Sequence, residues 1–134
     1  MRNLNRFTLV LLLVAGSAVA YAQNTLRGKW RGMEGNVPNV ELTVELNAGH
    51  ATGSAVFYML KKDHDDSAPH VEGQAAGVME NLNYQPQTLS FNMHRLDGSV
   101  MSFRVELTDA NHAKLFRTSD HDGPAQGFDL ARVE

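Results

Sequence analysis

The sequence predicts an all-β domain: an eight-stranded antiparallel up-and-down β-barrel that follows a cleaved signal peptide. Three observations predict it. No segment after residue 22 sustains a 3.6-residue apolar period; short alternating runs recur instead, with turn signals between them. Connections of hairpin length at nearly every junction favour a meander, and eight meandering strands close into a barrel without bare edges. The chain has no cysteine, so burial of apolar surface must hold the domain without disulfides. An open sandwich with Greek-key connections is the alternative arrangement.

The chain of 134 residues is long enough for one domain. Its first 22 residues read as a separate element. Arg2 and Arg6 precede an apolar stretch over 7–14, and small residues then lead to Ala20-Tyr21-Ala22. A basic start, a short apolar core and an A-x-A site make a secretory signal peptide. The apolar run is shorter than the roughly 20 residues a spanning helix needs, so no membrane insertion is expected. Cleavage after Ala22 leaves residues 23–134 as a single barrel domain. A lipid-anchored export signal needs a cysteine, so the expected location is the periplasm or the exterior, without a lipid anchor. The leader removes two arginines and no acid, which makes the mature chain more negative than the −3 of the whole. That balance gives no electrostatic case for nucleic acid as a partner.

Strands are predicted over 26–33, 40–46, 51–60, 71–79, 88–96, 100–108, 112–118 and 127–133. Their faces separate cleanly. Leu26, Gly28 and Trp30 alternate with Arg27, Lys29 and Arg31; Val40, Leu42, Val44 and Leu46 oppose Glu41, Thr43 and Glu45. Phe103, Val105 and Leu107 likewise oppose Ser102, Arg104 and Glu106. Two turns fix registers. Leu96-Asp97-Gly98 suits a three-residue hairpin loop with Gly98 left-handed, which sets Met93 opposite Met101, Phe91 opposite Phe103 and Leu89 opposite Val105. Around Asn47-Ala48-Gly49-His50, pairing Leu46 with Ala51 brings Val44 to Gly53, Leu42 to Ala55 and Val40 to Phe57. On the outer face Arg27, Lys29 and Arg31 face Glu41 and Glu45, pairs worth about 0–1 kcal/mol each.

Gly28-Lys29-Trp30 in the first strand resembles the G-x-W motif of the lipocalin and calycin barrels. The resemblance implies that Trp30 closes one barrel end and that Arg132, from the last strand, lies over its ring. The stretch Gly28-Lys29-Trp30-Arg31-Gly32, with Leu42-Thr43-Val44, Gly49 and Thr52-Gly53, is also similar to the opening of avidin-type barrels. Departures matter. Lipocalins carry a helix after the barrel, fatty-acid-binding proteins a two-helix lid after the first strand, and avidins several tryptophans around biotin. None of these is legible here, since Trp30 is the sole tryptophan and residues 34–39 are too few for a lid. The implied object is a small helix-free lipocalin-like barrel, whose ligand the family does not dictate.

The interior supplies the first candidate site. The third and fourth strands point small residues inward, Gly53, Ala55, Gly73, Ala75 and Gly77 among them, beside Phe57 and Met59 of the third strand and facing Phe91, Met93 and Phe103. Such walls either leave an apolar pocket ringed by adaptable methionines or are filled, as eight-stranded barrels allow. Arg117 continues the inward series of Ala113 and Leu115 and would hold a carboxylate head group, unless it sits at the rim with its head in water. The polar loop 61–70, with His64, His70 and three aspartates, and the segment 120–123 match no metal motif; solvated loops are the expectation, with no metal and no cofactor. His50, His94 and His112 have acidic or hydroxyl neighbours, as any six histidines in such a chain must, and no nucleophile elbow, H-E-x-x-H or phosphate loop is present. The expected function is non-catalytic binding of a small apolar or amphipathic molecule by Phe57, Met59, Phe91, Met93, Phe103 and Arg117. The alternative is a filled barrel that binds a protein partner through loops 61–70 and 119–127; an enzyme is not expected.

Overall fold

The computed structural model describes residues 24–118 and 127–133. The expected leader over 1–22 and nearly all of loop 119–127 lie outside the described residues. Nine strands, and no helix among these residues, form one antiparallel sheet. They are β1 (Gly28–Glu34), β2 (Val37–Asn47), β3 (His50–Lys61), β4 (His70–Val78), β5 (Glu80–Tyr84), β6 (Thr88–His94), β7 (Val100–Asp109), β8 (His112–Arg117) and β9 (Gly127–Arg132). Their spatial order is β4-β3-β2-β1-β9-β8-β7-β6-β5, so the first and last strands are neighbours and the sheet's two ends are β4 and β5. The sheet curls into a nearly closed up-and-down barrel, with strands nine in number where alternation predicts eight.

The added strand has a local cause. Met79 N–H donates to Gly53 O at 2.8 Å and Asn81 takes φ 49°, a left-handed conformation that asparagine tolerates. That kink turns the chain away from β3. Glu80 then pairs with Asn92 and Tyr84 with Leu89, which makes β5 a partner of β6 instead of a connecting segment. The sheet therefore breaks between consecutive strands, not between its termini.

Both predicted registers are present. Leu89, Phe91 and Met93 oppose Val105, Phe103 and Met101, with Gly98 at φ 88° in the turn. Val40, Leu42, Val44 and Leu46 oppose Phe57, Ala55, Gly53 and Ala51. Arg31 meets Glu41 across β1 and β2 at 3.5 Å, whereas Lys29 faces Thr43. Turn geometry and hydrophobic alternation select the same pairing, because a one-residue slip would turn every inner side chain to water.

The core runs through the barrel as Leu26, Trp30, Leu42, Val44, Ala55, Leu89, Phe91, Val105, Leu115 and Leu130, all buried. One end is sealed around Trp30. Its indole N–H donates to Leu26 O at 2.9 Å, and the Arg132 guanidinium lies 4.3 Å from the ring centroid. Trp30→Ala is expected to lower unfolding free energy by about 3–5 kcal/mol, read from denaturant titration, because the cavity left at a fully buried site does not collapse. Gly98→Val should cost about 1–2 kcal/mol on the same measurement, since a β-branched side chain resists positive φ. Equal stability of that variant would contradict the turn.

Candidate functional site

Away from the Trp30 end, the barrel wall opens at its seam. β4 pairs with β3 alone, and almost every residue of β4 is exposed. The walls of small residues are met by methionines. A Cβ at Gly53 would collide with Met79 Sδ, one at Gly73 would lie 2.8 Å from Met59 Cε, and one at Gly77 would lie 2.9 Å from Met93 Cε. The flexible thioether chains thus occupy space that the glycines vacate, and one of them, Met93 over Gly77, crosses the seam from β6 to β4 where no ladder joins the strands.

Above the Gly77–Met93 contact the seam widens into a cleft of 430 Å³. Phe57 and Met59 of β3 and Gln74 and Ala75 of β4 form one side. Met93, Met101 and Phe103 form the other with the hairpin residues His94 to Asp97. The floor is an aromatic ladder: Phe57 stacks on Phe103 at 5.0 Å and Phe103 on Phe91 at 5.3 Å between ring centroids. Phe103 and Met93 are buried, Met59 is 57% exposed, and Leu96 stands fully in solvent at the rim. A second hollow of 320 Å³ shares Phe57 and is lined also by Glu34, Asn39, Val40, Leu115 and Phe128. There Asn39 Oδ1 is buried without a hydrogen-bond partner among the described residues.

Of the residues expected to bind a ligand, Phe57, Met59, Met93 and Phe103 line the cleft together. Phe91 lies beneath them as packing behind Phe103. Arg117 occupies the last position of β8, opposite Phe103 in register, half-buried with its Nε shielded from solvent; it does not line the cleft. Trp30 and Arg132 sit at the far, sealed end. Arg132 caps it thoroughly: besides the indole contact it donates to Ala110 O at 2.9 Å, Thr25 O at 2.6 Å and Arg27 O at 2.5 Å. Burial lowers its pKa from the usual guanidinium value.

Alternation does not identify Arg95, which lines the cleft from the hairpin turn. Beside it, Asp97 accepts from Ser99 N–H at 2.9 Å and Ser99 Oγ–H at 2.6 Å, and these bonds hold its pKa below the ordinary carboxylate value. His94 pairs with Glu80 across β5 and β6, and His112 with Asp109 at 2.8 Å; both pairs are about half exposed on the outer surface. Among the described residues no three His, Asp or Glu side chains converge on a common point. In loop 61–70, Ser67 Oγ instead donates to His64 O at 2.7 Å and accepts from His64 N–H, a local turn. Segment 120–123 lies outside the described residues. No helix among them is long and apolar enough to cross a membrane.

Comparison with protein-family models, with curated proteins and with solved structures finds no match for this chain. The geometry defines its class: an all-β, nearly closed antiparallel barrel, compatible with a lipocalin-like fold, with one sealed end and an apolar cleft in its wall.

The hydrogen bonds at Asp97 have a pH signature. A carboxyl whose native pKa is depressed contributes stability above its unfolded pKa and loses it as pH falls through the native value. Urea midpoints of the parent and of Asp97→Asn should therefore differ at neutral pH and converge in acid below the ordinary carboxylate range.

Proposed function

We propose that this chain is an exported, non-catalytic, lipocalin-like binding protein that takes a small apolar or amphipathic ligand in the 430 Å³ cleft of the barrel seam. The observation that carries the proposal is the cleft itself, an apolar hollow walled by Phe57, Met59, Met93, Met101 and Phe103 with few polar groups at its rim. Its volume falls in the range, roughly 300–1,000 Å³, of sites that enclose small molecules. The ligand's apolar part would lie on Phe103 at the open end, because buried side chains fill the barrel below. Each apolar surface element withdrawn from water there stabilises the complex by about 25 cal/mol per Å² before ordering costs. Methionine walls adapt to ligands of different shape.

Arg95 supplies polarity at the rim, and among the described residues no carboxylate lies within ion-pairing distance of it. An anionic head group on the ligand would complement it. The matching probe is an anilinonaphthalene sulfonate dye, apolar at one end and anionic at the other. Its fluorescence should rise on binding to the folded protein, and Met59→Asp should weaken that binding by about tenfold, the loss of one apolar wall. Arg95→Glu should weaken the sulfonate and leave a neutral analogue nearly unchanged. Unaltered dye affinity in Met59→Asp would remove the cleft as the site.

A further inference from the structure

β4 presents an unpaired backbone edge beside the apolar cleft, and the phase of that edge can be assigned. Met79 N–H donates to Gly53 O, so in the antiparallel ladder Gly77 and Ala75 exchange hydrogen bonds with Ala55 and Phe57. The alternate residues Gln74, Ala76 and Val78 then direct N–H and C=O away from β3. No described strand pairs with that edge. Strand edges left bare are ordinarily blunted by lysine, proline or strong charge. Between His70 and Val78 this strand has no lysine or proline, and Glu72 is its only acid. Its small residues leave the backbone open to close approach.

We propose, resting on the cleft as the binding site, that besides a small amphipathic molecule it accepts an extended polypeptide segment of a partner protein. The segment adds antiparallel to β4 at Gln74 and Ala76, turns alternate large apolar side chains into the cleft, and sets an acidic group beside Arg95. The edge and the cleft are two halves of one recognition mode: backbone hydrogen bonds hold the strand, and a pocket reads every second side chain. The seam opens above the Gly77–Met93 contact, where the backbone at Gln74 and Ala75 lies across the cleft from the hairpin residues His94 to Leu96. A second copy of this chain fits poorly as the occupant. Its own β4 would bring Gly73, Ala75 and Gly77 to the inner side, side chains too small to fill a hollow of 430 Å³. Arg95 feels the charge of Asp97 beside it but makes no ion pair among the described residues, so its guanidinium can take an acid of the incoming segment, either a side chain or a terminal carboxylate.

Stereochemistry makes the test selective. In antiparallel pairing, residues that exchange hydrogen bonds carry their side chains on the same face. Gln74 and Ala76 face outward, so they pair with those residues of the segment whose side chains also face outward. The probe is a labelled synthetic peptide that alternates leucine and threonine and ends in aspartate, followed by fluorescence anisotropy with the full mature chain. Leucines enter the cleft, so threonine amides make the bonds. The parent peptide and its leucine-N-methylated form should bind. The threonine-N-methylated form should bind at least about tenfold more weakly, the loss of two or three backbone hydrogen bonds. Ala76→Pro removes an outward N–H at a residue that does not line the cleft; it should weaken the peptide and spare the sulfonate dye. Dye binding with no peptide binding, or equal binding of both N-methylated peptides, overturns strand addition and leaves the cleft intact. Failure of the dye and the peptide together overturns the cleft as well.

Discussion

Arg132 on Trp30 is the contact on which the barrel depends. The two residues are paired across β1 and β9, the first and last strands, and the guanidinium lies 4.3 Å from the centre of an indole that is almost wholly buried. A cation over tryptophan contributes about 0.5–2 kcal/mol, yet the larger effect here is satisfaction of backbone. Three carbonyls at the sealed end, those of Thr25, Arg27 and Ala110, accept from the one side chain. Leu26 N–H in turn donates to Pro86 O, which ties the segment before β1 to the β5–β6 turn. Five polar donors in a planar fork are what such a junction requires, and arginine alone among the side chains supplies them.

With that end fixed by polar contacts, the opposite problem arises at the seam. β4 and β5 follow each other in sequence but belong to opposite ends of the sheet, so no ladder joins them. A side chain substitutes for hydrogen bonds there: Met93 of β6 is set into the space above Gly77 of β4. A seam closed by side chains is weaker than one closed by a ladder, and it opens above the Gly77–Met93 contact. The cleft begins at that point. The proposed binding surface and the break in the sheet are thus the same feature.

The hairpin of β6 and β7 was fully legible because two independent signals agreed: Asp97-Gly98 chose the turn, and Phe91 with Phe103 chose the face. The resemblance at Gly28 and Trp30 likewise pointed to the partner residue on the last strand. β5 was not legible. Asn81 and Asn83 look like turn residues, and only the tertiary pull of Met79 toward Gly53 reveals that the chain kinks and continues as strand. Four cleft residues could be picked by alternation, since they lie within strands whose inner face is fixed. Arg95 could not, because alternation assigns no direction to a side chain in a turn. Arg117 shows the converse: its face was predictable, but not its distance from the open wall. Where methionine side chains come to rest is a matter of rotamers, which no pattern of hydrophobicity encodes.

The strand order also has a kinetic consequence. Most pairings in this sheet join neighbours in sequence and form by closing short loops. The β1–β9 junction is different: the bonds from Arg132 to Arg27 and Thr25 span 105 and 107 residues. Contacts of such separation form only after most of the chain's freedom has been surrendered. The local meanders β2–β3–β4 and β6–β7–β8 can form first, which makes docking of the segment before β1 a late event. Perturbation at Arg132 then acts on the unfolding rate and leaves refolding almost untouched, so the sealed end governs how long the barrel lasts more than how fast it is made.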